Sequence, residues 1–121
     1  MKLYVLHGTI PAKKNSRINT RSGRSFPSRR YAEWHEQAGL EIMSQGVQQF
    51  RQVRMTVAFQ FRTNRRTDLD NKLSSILDLL QDLGILEDDR WQVVPEITLT
   101  AQLGSEDITQ IMLEEISEDN I

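Results

Sequence analysis

Apolar and polar residues alternate most cleanly in "VRMTVAFQFRT", where Val53, Met55, Val57, Phe59 and Phe61 share one face and Arg54, Thr56, Gln60 and Arg62 take the other. A period of two over nine residues is that of a half-buried strand. "KLYVLHGTI" reads as a first strand, with Leu3, Val5 and His7 on one face, and Pro11 ends it. Two stretches carry the helical period instead. Ser28 is a predicted N-cap for a helix running to about Gln45 and stopped by Gly46; Tyr31, Trp34, Ala38 and Ile42 fall on its buried side, with Met43 at the margin. The second helix is predicted from Asp70 to Leu83, with Leu69, Leu73, Ile76, Leu77, Leu80 and Leu83 as its stripe and Gly84 after its end. "WQVVPEITLTAQL" and "DITQIMLEEI" follow as strands joined around Gly104–Ser105, the first bent or confined to a sheet edge by Pro95. "SEDNI" reads as a frayed acidic tail. The order is β-α-β-α-β-β, which predicts one α+β domain over residues 1–121, a four-stranded mixed sheet packed with two helices.

Composition narrows the class. A length of 121 residues suits one domain, and 38% hydrophobic with 26% charged content is that of a soluble globular chain. No run is long and apolar enough for a membrane span. With no cysteine, disulfides and thiolate metal sites are excluded, and a cytoplasmic location is expected.

The net charge of −2 conceals a strong asymmetry. Residues 1–66 hold thirteen Lys/Arg against three acids, a net +10, and residues 67–121 hold two against fourteen, a net −12. The basic half suits a polyanion. Its densest part, Pro11 to Arg30, carries Lys13, Lys14, Arg17, Arg21, Arg24, Arg29 and Arg30 with no acid among them, and its Gly, Ser, Asn and Pro residues predict a loop. Cations, the Asn15 amide and backbone N–H groups together suit phosphate oxygens.

The acids of the other half are grouped. "RRTDLDNKL" sets Asp68 and Asp70 two positions apart at a strand-to-helix junction, and Glu87-Asp88-Asp89 follows the helix. Acids at a helix start have an ordinary use, capping orphan N–H groups and complementing the dipole. They also suit a hard cation: Mg²⁺ is satisfied by one or two carboxylates, waters and a substrate phosphate. Asp68, Asp70 and one of Asp88 and Asp89 would supply that set. A helix from 70 to 83 carries the chain away by roughly 20 Å, and residues 84–89 return at most about 17 Å. The groups meet only if that segment runs back beside the helix or if they meet across subunits. An EF-hand opening at Asp68 is excluded, because Lys72, Leu73 and Leu79 stand where oxygen, glycine and glutamate are needed. His7 and His35 have no nucleophilic partner at a motif spacing, and no Gly-rich phosphate loop precedes a helix.

Asp68-x-Asp70-Asn71, a leucine-rich helix carrying Asp78, then Gly84 and Asp88-Asp89, resembles the RusA family of Holliday junction resolvases over nearly the whole chain. The resemblance implies a small homodimeric, Mg²⁺-dependent endodeoxyribonuclease of bacteria and their prophages, acting on branched DNA in recombination and repair, with Mn²⁺ as a substitute ion. It implies Asp68, Asp70 and Asp89 as metal-site carboxylates and Asp88 as the supporting acid. The DNA contacts would be Lys13, Lys14, Asn15, Arg17, Arg21, Arg24, Arg29 and Arg30. The family often carries a catalytic lysine four positions after the second aspartate, where this chain has Ser74. Lys72 is then the candidate cation on the helix, with Lys13 and Lys14 as alternatives. The other reading is a catalytically weak branched-DNA-binding module; a third is a scaffold whose charged halves pair between subunits.

Overall fold

β4 (Val53–Phe61) lies inside the sheet, with β6 (Ile108–Glu115) antiparallel on one side and β5 (Glu96–Leu103) parallel on the other. β1 (Lys2–His7) pairs antiparallel with the far side of β6, giving the order β1-β6-β4-β5. This computed structural model describes residues 1–12, 17–19 and 25–116, and their side chains except at 17–19 and 25–27. A short hairpin, β2 (Arg17–Asn19) with β3 (Ser25–Pro27), interrupts the segment predicted as loop. The "SEDNI" tail lies outside the described residues.

The helices are α1 (Arg29–Ser44) and α2 (Leu69–Asp82). Ser28 caps α1, its hydroxyl accepting from the Tyr31 N–H at 3.1 Å. Gly46 and Gly84 follow the two helix ends with φ of +92° and +75°, the left-handed region that lets the chain leave a helix without a Cβ clash. The core joins one sheet face to the helices: Tyr4, Leu6, Val53, Met55, Val57, Phe59, Ile111 and Leu113 against Ala38, Ile42, Ile76, Leu79 and Leu80.

Three expectations are corrected. In β1 the predicted face, Leu3, Val5 and His7, is the outer one, and Tyr4 and Leu6 are buried instead. Tyr4 wins because its ring fills the core while its hydroxyl reaches the Gly46 carbonyl at 2.7 Å. In α2 the deepest row is Lys72, Ser75, Ile76, Leu79 and Leu80, while Leu69, Leu73, Leu77 and Leu83 sit half-buried at its flanks. The leucine stripe misleads because the chain after β1 covers the polar residues, taking hydrogen bonds through its carbonyls. Finally, β5 begins only at Glu96, after Pro95; Trp91 lies in a turn and is 70% exposed.

Candidate functional site

α2 starts where β4 ends, and the neighbouring loops gather at that end of the sheet. The Asp107 carboxylate accepts from the Arg62 N–H at 2.8 Å and the Thr9 hydroxyl at 2.7 Å. The Gly8 N–H donates to the Asp107 carbonyl at 2.9 Å. The Arg62 amide, followed by the Thr9 hydroxyl, holds the Asp107 carboxyl below its ordinary pKa. The chain then turns into α2. Asp68 occupies the N-cap position, yet its side chain makes no capping hydrogen bond; among the described residues its hydrogen-bond partner is the Asn71 amide at 3.5 Å. The Asp70 carboxylate has no hydrogen-bond or ion-pair partner among the described residues. Both are exposed, and Asp68 lines an open cleft of about 340 Å³ with Ala12, Arg66, Thr67, Asn71 and Lys72. Capping therefore does not occupy these carboxylates.

Lys72 is only 8% exposed. Its ammonium donates to the Ile10 carbonyl at 2.5 Å and sits 5.8 Å from the centre of the Phe61 ring. Burial pushes its pKa down, with Asp107 opposing and Arg30 adding to the fall. One helical turn on, the Ser75 hydroxyl donates to the Pro11 carbonyl at 2.5 Å. The start of the basic segment is thus fastened to the helix that bears Asp68 and Asp70. Ser74 is exposed, and its hydroxyl bonds the Asp70 carbonyl at 3.2 Å. Arg29 and Arg30 are exposed at the start of α1, with Arg29 on Glu33 at 2.8 Å. Lys13, Lys14, Asn15, Arg21 and Arg24 lie outside the described residues, as does the Arg17 side chain.

The second acidic group is at the other end of α2. Beyond Gly84, the Phe50 N–H donates to the Ile85 carbonyl, and the Val53 N–H donates to the Val93 carbonyl, each at 2.9 Å. These contacts fix residues 85–93 beside the start of β4, so this segment does not run back along the helix. Asp88 is committed: it accepts from the Arg90 N–H at 2.7 Å and its guanidinium at 3.0 Å, and the backbone contact is the main cause of its lowered pKa. Asp89 is exposed and has no side-chain partner among the described residues. Within one chain, then, Asp68 and Asp70 stand at the opposite end of a 14-residue helix from Asp88 and Asp89.

Among the described residues, the group of three ligand-type side chains with donor atoms within 4.8 Å is a different one, His35, Asp78 and Asp82. His35 bonds Asp82 at 2.7 Å and Asp78 accepts from the Tyr31 hydroxyl at 2.7 Å, so these residues tie α1 to α2. Sequence reasoning missed this tie and the Thr9–Asp107 latch, since each joins residues distant in the chain and neither has a spacing signal.

The fold and cleft define a class: an α+β protein presenting unspent carboxylates beside a buried lysine, a setting for hard cations and phosphate esters. The profile of a family described as endodeoxyribonuclease RusA matches residues 8–114, which takes in all four carboxylates and the basic segment. The chain belongs to the RusA family, a family of metal-dependent endodeoxyribonucleases. No curated protein matched it in the same comparisons. Among the described residues, no helix is long and apolar enough to cross a membrane.

Proposed function

We propose that this chain is a Mg²⁺-dependent endodeoxyribonuclease that resolves four-way DNA junctions by paired nicks, working as a homodimer in cytoplasmic DNA recombination and repair. The observation that carries this reading is the state of Asp68 and Asp70, carboxylates two positions apart that, among the described residues, neither cap their helix nor pair with a cation. Oxygen donors of this kind fit Mg²⁺, with Mn²⁺ as substitute. When bound, the ion supplies an activated water and neutralises charge developing on the phosphate.

The chain's own residues do the rest. Asp68, Asp70 and Asp89 are the ion's ligands, and Asp88 supports Asp89 by pinning its turn to Arg90. Because α2 separates Asp89 from the other two, a second copy completes each set. A two-fold dimer then offers two identical sites to a two-fold junction, one for each strand cut. Lys72 holds the Ile10 carbonyl and so positions the start of the basic segment over the cleft. Lys13, Lys14, Asn15, Arg17, Arg21, Arg24, Arg29 and Arg30 give salt-sensitive affinity for phosphates. The free carboxylates repel DNA, so the cation is expected to strengthen binding as well as support cleavage.

A labelled four-way junction incubated with the protein and Mg²⁺ tests the reading. Symmetric nicks, lost in Asp70→Asn while junction binding persists, are the expected result; equal cutting by the variant sinks it. A second reading, a branched-DNA-binding module with little turnover, is favoured by Ser74, which puts a hydroxyl where the family often carries a lysine. It predicts salt-sensitive junction binding with no Mg²⁺-dependent product.

A further inference from the structure

Where α1 crosses α2, the helices meet through polar groups as well as apolar ones. Asp78 and Asp82 stand four residues apart on α2 and so project from one face of that helix. His35 reaches across from α1, its Nε2 lying 2.7 Å from the Asp82 carboxylate and 3.9 Å from that of Asp78. The three donor atoms all lie within 4.8 Å of one another. An ion about 2.0–2.2 Å from a nitrogen and two oxygens sets such donors about 3.0–3.5 Å apart. The spacings of 2.7 and 3.9 Å bracket that requirement, so small side-chain shifts would meet it. Two features outside the three ligands favour a cation. Tyr31, only 4% exposed, donates its hydroxyl to the Asp78 carboxylate at 2.7 Å, the kind of outer contact that orients a ligating group. Asp82 is also the final residue of α2, whose last turn carries no basic residue, and a helix C-terminus favours positive charge.

We propose that His35, Asp78 and Asp82 form a second metal site, separate from the carboxylates at the start of α2, which takes a borderline divalent cation of the Zn²⁺ type. Imidazole beside carboxylates suits such ions, whereas Mg²⁺ prefers oxygen donors throughout. His35 Nε2 and one oxygen from each aspartate supply three ligands, and the exposed side of Asp82 leaves the next position to water. Binding needs a neutral His35 ring with its proton on Nδ1, which frees Nε2 for the ion. Trp34 packs edge-on against the ring, with centroids 6.3 Å apart, and limits its rotation. Bound there, the ion clasps α1, which follows the basic segment, to α2, which bears Asp68 and Asp70. It stabilises the helix pair and takes no part in cutting DNA. The site does not depend on the nuclease reading, since none of its residues lines the cleft.

Calorimetric titration of the full chain with Zn²⁺ tests the site, with millimolar Mg²⁺ present to occupy oxygen-only sites. One Zn²⁺ per chain is expected at micromolar affinity. His35→Gln, which keeps a hydrogen-bond donor for Asp82, and Asp82→Asn, at an exposed position, should each weaken it by more than about tenfold. The double variant Asp68→Asn/Asp70→Asn should bind as wild type does. Saturating Zn²⁺ should raise the Tm of wild type by about 5 °C or more and leave that of His35→Gln unchanged. The chain has two tryptophans, so Trp91→Phe leaves Trp34 as the reporter beside His35, and Co²⁺ should quench it. Equal Zn²⁺ affinity in wild type and Asp82→Asn, or no binding at tens of micromolar, overturns the site and leaves a hydrogen-bonded tie only. Binding lost in Asp68→Asn/Asp70→Asn but kept in His35→Gln assigns the ion to the cleft and overturns it equally. If His35→Gln fails to fold, the Asp82→Asn titration decides. A chain that binds Zn²⁺ through His35 yet cuts no junction removes the nuclease reading and leaves this site standing; cutting without that binding does the reverse.

Discussion

The two ends of α2 are held by different forces, and they present different chemistry. At its start the helix is fixed by polar contacts, Lys72 to the Ile10 carbonyl and Ser75 to the Pro11 carbonyl. Asp68 lines an open cleft there, and Asp70 is exposed. At its end the helix is fixed by apolar burial: Leu79, Leu80, Ile85 and Leu86 are enclosed, and Gly84 turns the chain back towards β4. One end can therefore keep charges ready for a ligand because the other supplies much of the helix's hydrophobic attachment. Asp89, beyond the apolar end, is then distant from the carboxylates it is expected to join.

The largest effect expected from this separation is on catalysis. Asp70→Asn and Asp89→Asn should each lower junction nicking by about a thousandfold or more, on the scale of losing a group that stabilises transition-state charge. Mixed as heterodimers, the two variants should regain nicking at one of the two sites, because one pairing unites an intact Asp70 with the partner's intact Asp89. A mixture as inactive as either parent shows that each site is built within a single chain. Asp88→Asn, whose carboxylate already belongs to Arg90, should lose much less.

Stability comes next, and it separates the two kinds of attachment. Leu79→Ala at the apolar end should cost about 2–5 kcal/mol by leaving a cavity in the core. Lys72→Met at the polar end keeps most of the side-chain volume but orphans the Ile10 carbonyl, and should cost about 1–3 kcal/mol. Urea unfolding of both variants measures the difference; a costlier Lys72→Met reverses the ranking of the two ends. A smaller effect tests the missing cation directly. Ser74→Lys, on an exposed position, should raise nicking by about tenfold, corresponding to about 1.4 kcal/mol of transition-state stabilisation. An unchanged rate indicates that a lysine there has no part in this chain's reaction.

Local pattern carried the elements well but not the relations between them. The alternation in Val53–Phe61 and the Ser28 cap were legible because each is a property of neighbouring residues. The buried face of α2 was not, because leucines at helical spacing look the same whether they face the core or flank it. Only the chain crossing at Ile10–Pro11 makes Lys72 and Ser75 interior. The acidic positions could be seen in "RRTDLDNKL" and "EDDR", and chain-length arithmetic left two ways for them to meet. The contact of residue 85 with Phe50 removes one of these ways. Such a contact joins residues 35 apart and leaves no periodic trace in the sequence.

The smallest expected effect is on acid stability, where among the described residues Asp107 at one end and Asp88 at the other have lowered pKa values. Asp107, at the cleft end, is held below its ordinary value of 3.8 by the Arg62 amide and then the Thr9 hydroxyl; Asp88 is held there chiefly by the Arg90 amide. A carboxyl depressed by folding stabilises the native state at pH values above its unfolded pKa, and that contribution is lost as pH falls through the folded pKa. The difference in Tm between wild type and either alanine variant should therefore be flat from about pH 8 to pH 5 and shrink below about pH 4. Asp107→Ala should show the larger shift, because its contacts join the segments after β1 and β4, whereas Asp88 bonds a residue two positions along. Thermal unfolding across this pH range decides it. A larger shift for Asp88→Ala would place the stronger polar latch beyond the apolar end, against the division of labour along α2.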